Sequence, residues 1–341
     1  MIWRFKAPLT RTCRVVCAGP HFQAGLANTR ELLAKRNIPN VELIHAPTDE
    51  ELMSIAPTVH VAIPFMQRFD AEFIHKAEDL RLIQQYGVGL EGVSMDEATR
   101  HGIAVANIPA DGTGNAQSTA EHALLLSFSL LRFTKSELPR RIKERILGGL
   151  PPPRTLYRQN VTVVGYGSVG STLCKYLTVM GAHVTAVRRS WENRGGDLNV
   201  SVRSTVLEET LPTTDLLILA CPVTPDTFHL MNKERISIMP KSSLIVNVGR
   251  GPLVEYSAIR EAIESGHIGG FASDVGVGHP TKPSEPWDPD DELTKHPNVL
   301  FTPHVGGYSE YTYDVMAESV VDAIENIIAR KPPNNWVNKH P

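Results

Sequence analysis

The stretch VTVVGYGSVGSTL, residues 161–173, decides the fold. A β-branched run leads into three glycines, Gly165, Gly167 and Gly170, and a segment with helical spacing follows. In a G-x-G-x-x-G turn each glycine has its own reason. The first permits the tight turn, the second lets backbone approach a pyrophosphate, and the third lets helix pack on strand. The intervening Tyr166, Ser168 and Val169 open the helix, whose free N–H groups and positive dipole end suit phosphate oxygens. Glycines are common in ordinary turns, so the alternative is a purely structural turn. The strand before and the helix after supply the context that the motif requires.

The end of the next strand chooses between the two nicotinamide dinucleotides. An NAD site places Asp or Glu there, accepting from the ribose hydroxyls. This chain reads HVTAVRRS, so Arg188, Arg189 and Ser190 stand at that point and a carboxylate is missing. Guanidinium groups suit a ribose 2′-phosphate by charge and by their bidentate fork. The expected cofactor is NADP(H), with NAD(H) as second choice; a solvated basic turn is the bland alternative.

Working outward, short β-branched runs alternate with helical patterns through the whole chain, the rhythm of parallel sheets with crossover helices. In the first half the spacing predicts strands at Val15–Ala18, Val41–His45, Val59–Ile63 and Arg81–Gln85, with amphipathic segments at Gln23–Arg36 and Asp70–Ala77. A long apolar helix opens near Asn115 and stops before Pro139; three prolines at 151–153 then mark a stiff turn. In the second half strands are predicted at Val161–Val164, Val184–Val187, Leu216–Ala220, Leu244–Val248, Phe271–Val275 and Val299–Phe301, and a closing helix at Tyr311–Ala329.

Composition narrows the function classes. A chain of 341 residues exceeds one ordinary core, and 42% hydrophobic with 21% charged residues is a globular balance. A net charge of −3 argues against an electrostatic nucleic-acid or membrane partner. The apolar run Ala123–Leu131 is too short to span a bilayer. Four scattered cysteines, Cys13, Cys17, Cys174 and Cys221, complete no metal-ligand spacing, so no metal is expected and a reducing, cytoplasmic setting is. The basic N-terminus, without an acid before Glu31, is a weak organelle-targeting signal.

Three further segments carry chemistry. VNVGRG (246–251) puts Arg250 just past a strand, and TPHVGG (302–307) does the same for His304. QYGVGLEG (85–92) follows a strand of the first half with a glycine turn whose amides can hold an anion. In open α/β sheets ligands bind at the carboxyl ends of strands. An arginine, a histidine and a nest of amides suit a 2-oxo acid beside a nicotinamide.

Taken in order, GVG (87–89), AEHAL (120–124), GYGSVG (165–170), PVTPDT (222–227), NVGRG (247–251), SDV (273–275) and TPH (302–304) make a specific set. The chain resembles the D-isomer-specific 2-hydroxyacid dehydrogenase family, which includes glyoxylate/hydroxypyruvate reductases and phosphoglycerate dehydrogenases, from about Leu80 to Ala329. The resemblance implies an α/β architecture of two doubly wound parallel-sheet domains. A Rossmann dinucleotide domain (125–306) is inserted in a flavodoxin-like substrate domain (1–124 with 307–341). It implies a catalytic arginine, acid and histidine, and cofactor contacts at Cys221, Pro222, Thr227, Val248, Gly249, Asp274 and Gly306, with Asp274 accepting from the nicotinamide carboxamide. It also implies substrate contacts at Phe65, Val88 and Gly89, and a homodimer with the Ala123–Leu131 helix as an interface element.

Arg250 matches the family arginine and His304 the histidine. The acid follows Asp274-Val275 in a short Glu-Pro motif, and here direct counting lands on His279. Glu285-Pro286 restores the motif if a short insertion precedes it, so Glu285 is the expected acid and His279 the alternative. The prolines at 280, 283, 286 and 289 then belong to an active-site loop, stiffened to lower its ordering entropy. A ligand for a proline-binding domain, helped by Lys282, is the other reading. Two departures stand out: Ala220-Cys221 replaces a family histidine position, and Gly249 stands where alanine is common.

The implied reaction reduces a small 2-oxo acid, such as glyoxylate or hydroxypyruvate, to the D-2-hydroxy acid. His304 acts as general acid, Glu285 keeps it protonated, and Arg250 orients the substrate and stabilises charge. Apolar Pro64, Phe65 and Met66 favour an unphosphorylated side chain, while Arg68 argues the other way. His122 on the apolar helix reads as a buried structural histidine, or as a substrate or hinge residue. The competing class is a dinucleotide-sensing binding protein or co-regulator with vestigial catalysis.

Overall fold

The computed structural model describes residues 3–9, 12–132, 135, 137–150, 152–192, 200–276 and 290–339. The chain divides into two compact units, Met1–Gly114 with Ser309–Pro341, and Asn115–Tyr308. The expected boundary at 124/125 would cut the continuous helix Asn115–Leu131, which lies wholly in the second unit. The return boundary falls at 308/309, two residues beyond the expected 306/307.

The first unit is built on five parallel strands: β1 (Cys13–Ala18), β2 (Val41–Ala46), β3 (Val61–Pro64), β4 (Leu82–Gln84) and β5 (Ala104–Ala106). Their spatial order is β2-β1-β3-β4-β5, the flavodoxin-like arrangement. Both faces are covered, and the two-residue period of a strand sorts the side chains between them. Val15, Cys17, Val61, Ile63 and Leu82 enter one core, while Val16, Ala18, Ala62 and Ile83 enter the other. The first core is closed by Leu26 and Leu33 of the helix Gln23–Lys35 and by Val320, Ile324 and Ile327 of the C-terminal helix Glu310–Ile328. Apolar residues three and four apart give that last helix its buried stripe, which returns the end of the chain to the unit where it began.

The second unit has seven parallel strands: β6 (Asn160–Val164), β7 (His183–Val187), β8 (Val202–Ser204), β9 (Leu216–Leu219), β10 (Ser243–Asn247), β11 (Ile268–Ser273) and β12 (Val299–Phe301). The order β12-β11-β10-β9-β6-β7-β8 is that of a Rossmann sheet, and its direction of winding reverses between β6 and β9. Leu124, Leu126 and Leu131 of the helix Asn115–Leu131 pack over Leu244, Val246 and Ala272 on one face. Ile236 and Ile259 from the crossover helices cover Leu217, Leu219 and Ile245 on the other. Among the described residues no helix is long and apolar enough to cross a membrane.

The sequence reading misses β5 and β8. Ala-Val-Ala has little β-propensity, and Val-Arg-Ser lies exposed on an edge, so neither shows a hydrophobic period. It also places β11 too late. The strand ends at Ser273, which leaves Asp274 as the first residue beyond it.

Candidate active site

The phosphate loop leaves β6 through Gly165, at φ 101°, a conformation that favours glycine. A side-chain carbon there would stand 2.6 Å from the carbonyl oxygen of Ala220 on the neighbouring β9 loop. One on Gly170 would overlap the carbonyl oxygen of Gly165. The protein's own packing therefore dictates both glycines. Gly167 is different: it is exposed, it precedes the helix Ser168–Val179, and a side-chain carbon there would meet nothing within 4 Å. Its bareness serves no internal contact and leaves backbone open to a ligand. Among the described residues no side chain caps this helix, so its first N–H groups have room for phosphate oxygens. Tyr166 is buried, and Ser168 and Val169 are half-buried at the helix mouth.

Arg188 follows β7 half-buried, with Arg189 and Ser190 exposed beyond it. The Ser190 hydroxyl accepts from the Glu192 amide at 3.1 Å. Two residues that the sequence reading passed over complete this corner. Trp191 donates its indole N–H to the Ser204 carbonyl at 2.9 Å and packs on Tyr166 with ring centroids 5.2 Å apart. The guanidinium carbons of Arg188 and Arg203 lie 5.6 and 5.8 Å from the Trp191 ring centroid, within cation–π range. Arg203 pairs with Ala186 in the β7–β8 ladder, so it shares a sheet face with Arg188, two residues on. Among the described residues, the buried Nη1 of Arg188 has no hydrogen-bond partner. A buried guanidinium nitrogen left in that state favours an anion.

The loops after β9 and β10 approach each other closely. Thr227 closes the first by donating to the Pro222 carbonyl at 2.8 Å and accepting from the Thr224 amide at 2.7 Å. Burial pushes the Cys221 thiol up to about 11, which keeps it neutral. A side-chain carbon on Gly249 would stand 2.6 Å from the Cys221 carbonyl oxygen. The glycine at 249 is thus matched to this chain's 221 loop. Val248 is buried, and Asn247 ties the turn by donating to the Arg250 carbonyl and accepting from the Gly249 amide. Arg250 leaves this turn half-buried.

Asp274, just past β11, organises the loop after β12. Its carboxylate accepts from the Thr302 hydroxyl at 2.6 Å and from the amides of Val305 at 2.9 Å and Gly306 at 2.8 Å. His122, from the helix Asn115–Leu131, lies 2.9 Å from the Thr302 hydroxyl and 3.3 Å from Asp274. Burial alone would raise the Asp274 pKa. The hydrogen bonds from His122, Thr302 and the two amides outweigh it and hold the carboxyl below its ordinary value. The Ser118 hydroxyl donates to the Gly306 carbonyl at 2.8 Å, a second tie from the same helix. Gly306 cannot be larger, because a side-chain carbon would come within 2.8 Å of Asp274.

Between these ties stands His304, at φ 58°, a left-handed conformation costly for a residue with a side chain. Asp274 fixes the two residues that follow it, which is what such a conformation needs in order to persist. Of the sequence-predicted residues, Arg250, Asp274 and His304 thus stand at the carboxyl ends of three adjacent strands, β10, β11 and β12. His122 is a buttress for the His304 loop. Glu285, the alternative His279 and the prolines at 280, 283, 286 and 289 lie outside the described residues.

In the first unit, the amides of Val88 and Gly89 have no hydrogen-bond partner among the described residues. The carbonyls of Gly87 and Val88 are tied to the Ile108 amide and the Asn107 side chain. Phe65 is 0% exposed and packs edge-on against Phe22 and Tyr86.

Residues 131–306 match the model of the D-isomer specific 2-hydroxyacid dehydrogenase family, NAD binding domain. A glyoxylate reductase of Pyrococcus furiosus is 30% identical over 315 residues, covering 89% of this chain and 87% of that protein. The TT0316 protein from Thermus thermophilus superposes with a TM-score of 0.80 at 28% identity, over 95% of this chain and 99% of that one. The structure described as the pyruvate reductase of Chlamydomonas reinhardtii gives a TM-score of 0.79 at 25% identity, over 97% and 100%. A phosphate loop, a Rossmann sheet and three functional groups on adjacent strand ends are now joined by similarity along nearly the whole chain. The protein is a member of the D-isomer-specific 2-hydroxyacid dehydrogenase family, an oxidoreductase that uses a nicotinamide dinucleotide.

Proposed function

We propose that this enzyme reduces a small 2-oxo acid, glyoxylate or hydroxypyruvate, to the D-2-hydroxy acid with NADPH. The observation that carries the reading is the row of Arg250, Asp274 and His304 at the ends of β10, β11 and β12, in the same sheet as the phosphate loop. When bound, the dinucleotide supplies the hydride. His304 donates the proton to the carbonyl oxygen as it gains charge. Arg250 holds the carbonyl and carboxylate oxygens and stabilises the developing charge. The open amides of Val88 and Gly89 bind the substrate carboxylate. Asp274 sets the height of the His304 loop, and its Oδ2, bonded among the described residues to the Gly306 amide alone, retains capacity for the carboxamide N–H. Glu285 is the acid that keeps His304 protonated, and Glu285→Gln lowers kcat and shifts its pH profile if that assignment holds.

NADPH preference rests on Arg188 and Arg203 around Trp191, together with Arg189. A charge-assisted hydrogen bond to phosphate contributes about 1.5–3 kcal/mol, so Arg188→Ala and Arg203→Ala each lower kcat/KM for NADPH by about 10–100-fold. NADH, which lacks the 2′-phosphate, is little affected. Equal losses with both cofactors would mean that the arginines only support the fold.

The helix Asn115–Leu131 buries Leu124, Leu126 and Leu131 on its own sheet and leaves Leu125 and Phe128 outward. These two are the proposed contacts with a second copy. Light scattering after gel filtration checks this; a monomer at micromolar concentration would contradict it.

A further inference from the structure

One cluster in the first unit has no part in this chemistry. His75 sits in the last turn of the short helix Ala71–Lys76, while Glu97 and His101 lie one turn apart on and just past the helix Met95–Arg100. Core packing sets the rotation of both helices: Phe73 and Ile74 are buried from the first and Ala98 from the second. That rotation leaves His75 57% exposed, beside Glu97 and His101. Residues i and i+4 share a helix face, so Glu97 and His101 approach His75 together.

We propose that His75, Glu97 and His101 form a binding site for a divalent transition-metal ion of the zinc class, clipping the two helices together. The His75 Nε2 lies 3.2 Å from Glu97 Oε2, and the His101 Nδ1 lies 3.5 Å from the same oxygen. The three ligand atoms all fall within 4.8 Å of one another. A tetrahedron with metal–ligand bonds of about 2.0–2.1 Å has edges of about 3.3 Å, so two of the three edges already have the right length. Two imidazoles and a carboxylate are a donor set that zinc and its neighbours accept, with the fourth position left to water. Calcium and magnesium, which want more oxygen ligands, are disfavoured.

The other groups facing the cluster are compatible. Arg100 pairs with Glu97 Oε1 at 2.7 Å and leaves Oε2 to the imidazoles, so it orients the carboxylate as an outer-shell partner does. Its own side chain is 66% exposed, which lets water screen its charge. His101 Nδ1 also lies 3.0 Å from the Glu97 carbonyl. Metal binding there shifts the ring proton to Nε2 or to solvent, so affinity falls on acidification. The sequence spacing hides this site, because His75 and Glu97 meet only through the fold.

The test is titration calorimetry of the full-length protein, stripped with a chelator, against Zn²⁺ and Co²⁺ near neutral pH. The expected result is one equivalent bound, weakened at least about tenfold in His75→Ala and in His101→Ala. The Co²⁺ complex should show a visible absorption band that both variants lose. Turnover should not change in either variant, since neither residue serves the reaction. Circular dichroism confirms that these exposed positions tolerate the substitutions. Absence of binding to the unsubstituted protein would overturn the proposal, leaving an ion-pair cluster only. Binding that survives both substitutions would overturn it too, by placing the ion elsewhere.

Discussion

Two carboxylate–imidazole clusters in this molecule are built from the same groups and do different work. Asp274 with His122 has side chains 4% and 12% exposed, and the carboxylate accepts from two backbone amides and a hydroxyl beside an imidazole. Glu97 with His75 and His101 lies nearer the surface, and its side-chain partners are all side chains. Burial raises the cost of leaving any member of the first cluster unpaired, so that cluster acts as a peg fixing the loop of His304. The second can exchange its hydrogen bonds for water or a cation at little cost. The chemistry of a carboxylate beside a histidine thus says less about its role than the donors around it.

The comparison can be broken most sharply at Asp274. Asp274→Ala leaves a hydroxyl and two amides without their acceptor and removes the carboxylate beside His122, and about 3–5 kcal/mol of stability should be lost in urea unfolding. The same change releases the strained backbone of His304, so kcat falls as well. A loss under about 1 kcal/mol would show that the peg is not one.

His304→Gln removes the proposed proton donor while keeping polarity and size. The expected loss in kcat is about 10²–10⁴-fold, with dinucleotide affinity unchanged by equilibrium titration. Acidification sharpens the contrast more gently. The Asp274 carboxyl is held below its ordinary value in the fold, so its contribution is present above the unfolded value and disappears as pH falls through the folded one. Urea midpoints should therefore drop between about pH 5 and the acid limit in the parent, and less steeply in Asp274→Asn. At the small end stands Glu97→Gln. The Glu97 side chain is 13% exposed, but its partners His75 and Arg100 are 57% and 66% exposed, so about 1 kcal/mol or less is expected, with turnover intact.

Much of this architecture is legible in the sequence because parallel strands buried on both faces read as continuous apolar runs, as at Val161–Val164 and Leu216–Leu219. The phosphate loop is legible because three glycines have three separate physical causes. Arg250 and His304 are visible as polar residues just past apolar strands. The remainder depends on contacts that cross the sequence. Asp274 meets Thr302, Val305 and Gly306 some thirty positions later, and His122 reaches Thr302 across 180 positions. Arg203 joins Arg188 only because β8 pairs beside β7, and β8 itself shows no apolar period. The packing of Phe65 against Phe22 and Tyr86 is likewise invisible in the sequence.

The central claim is reduction of a small 2-oxo acid with NADPH, and steady-state kinetics with both reduced cofactors tests it most directly. Glyoxylate, hydroxypyruvate and phenylpyruvate would each be assayed with NADPH and with NADH at saturating substrate. The account predicts turnover of glyoxylate or hydroxypyruvate and a kcat/KM for NADPH at least about tenfold above that for NADH, equivalent to about 1.4 kcal/mol from the arginines. Equal use of the two cofactors would contradict the reading of Arg188 and Arg203. Dinucleotide binding without reduction of any 2-oxo acid would contradict the roles given to Arg250 and His304.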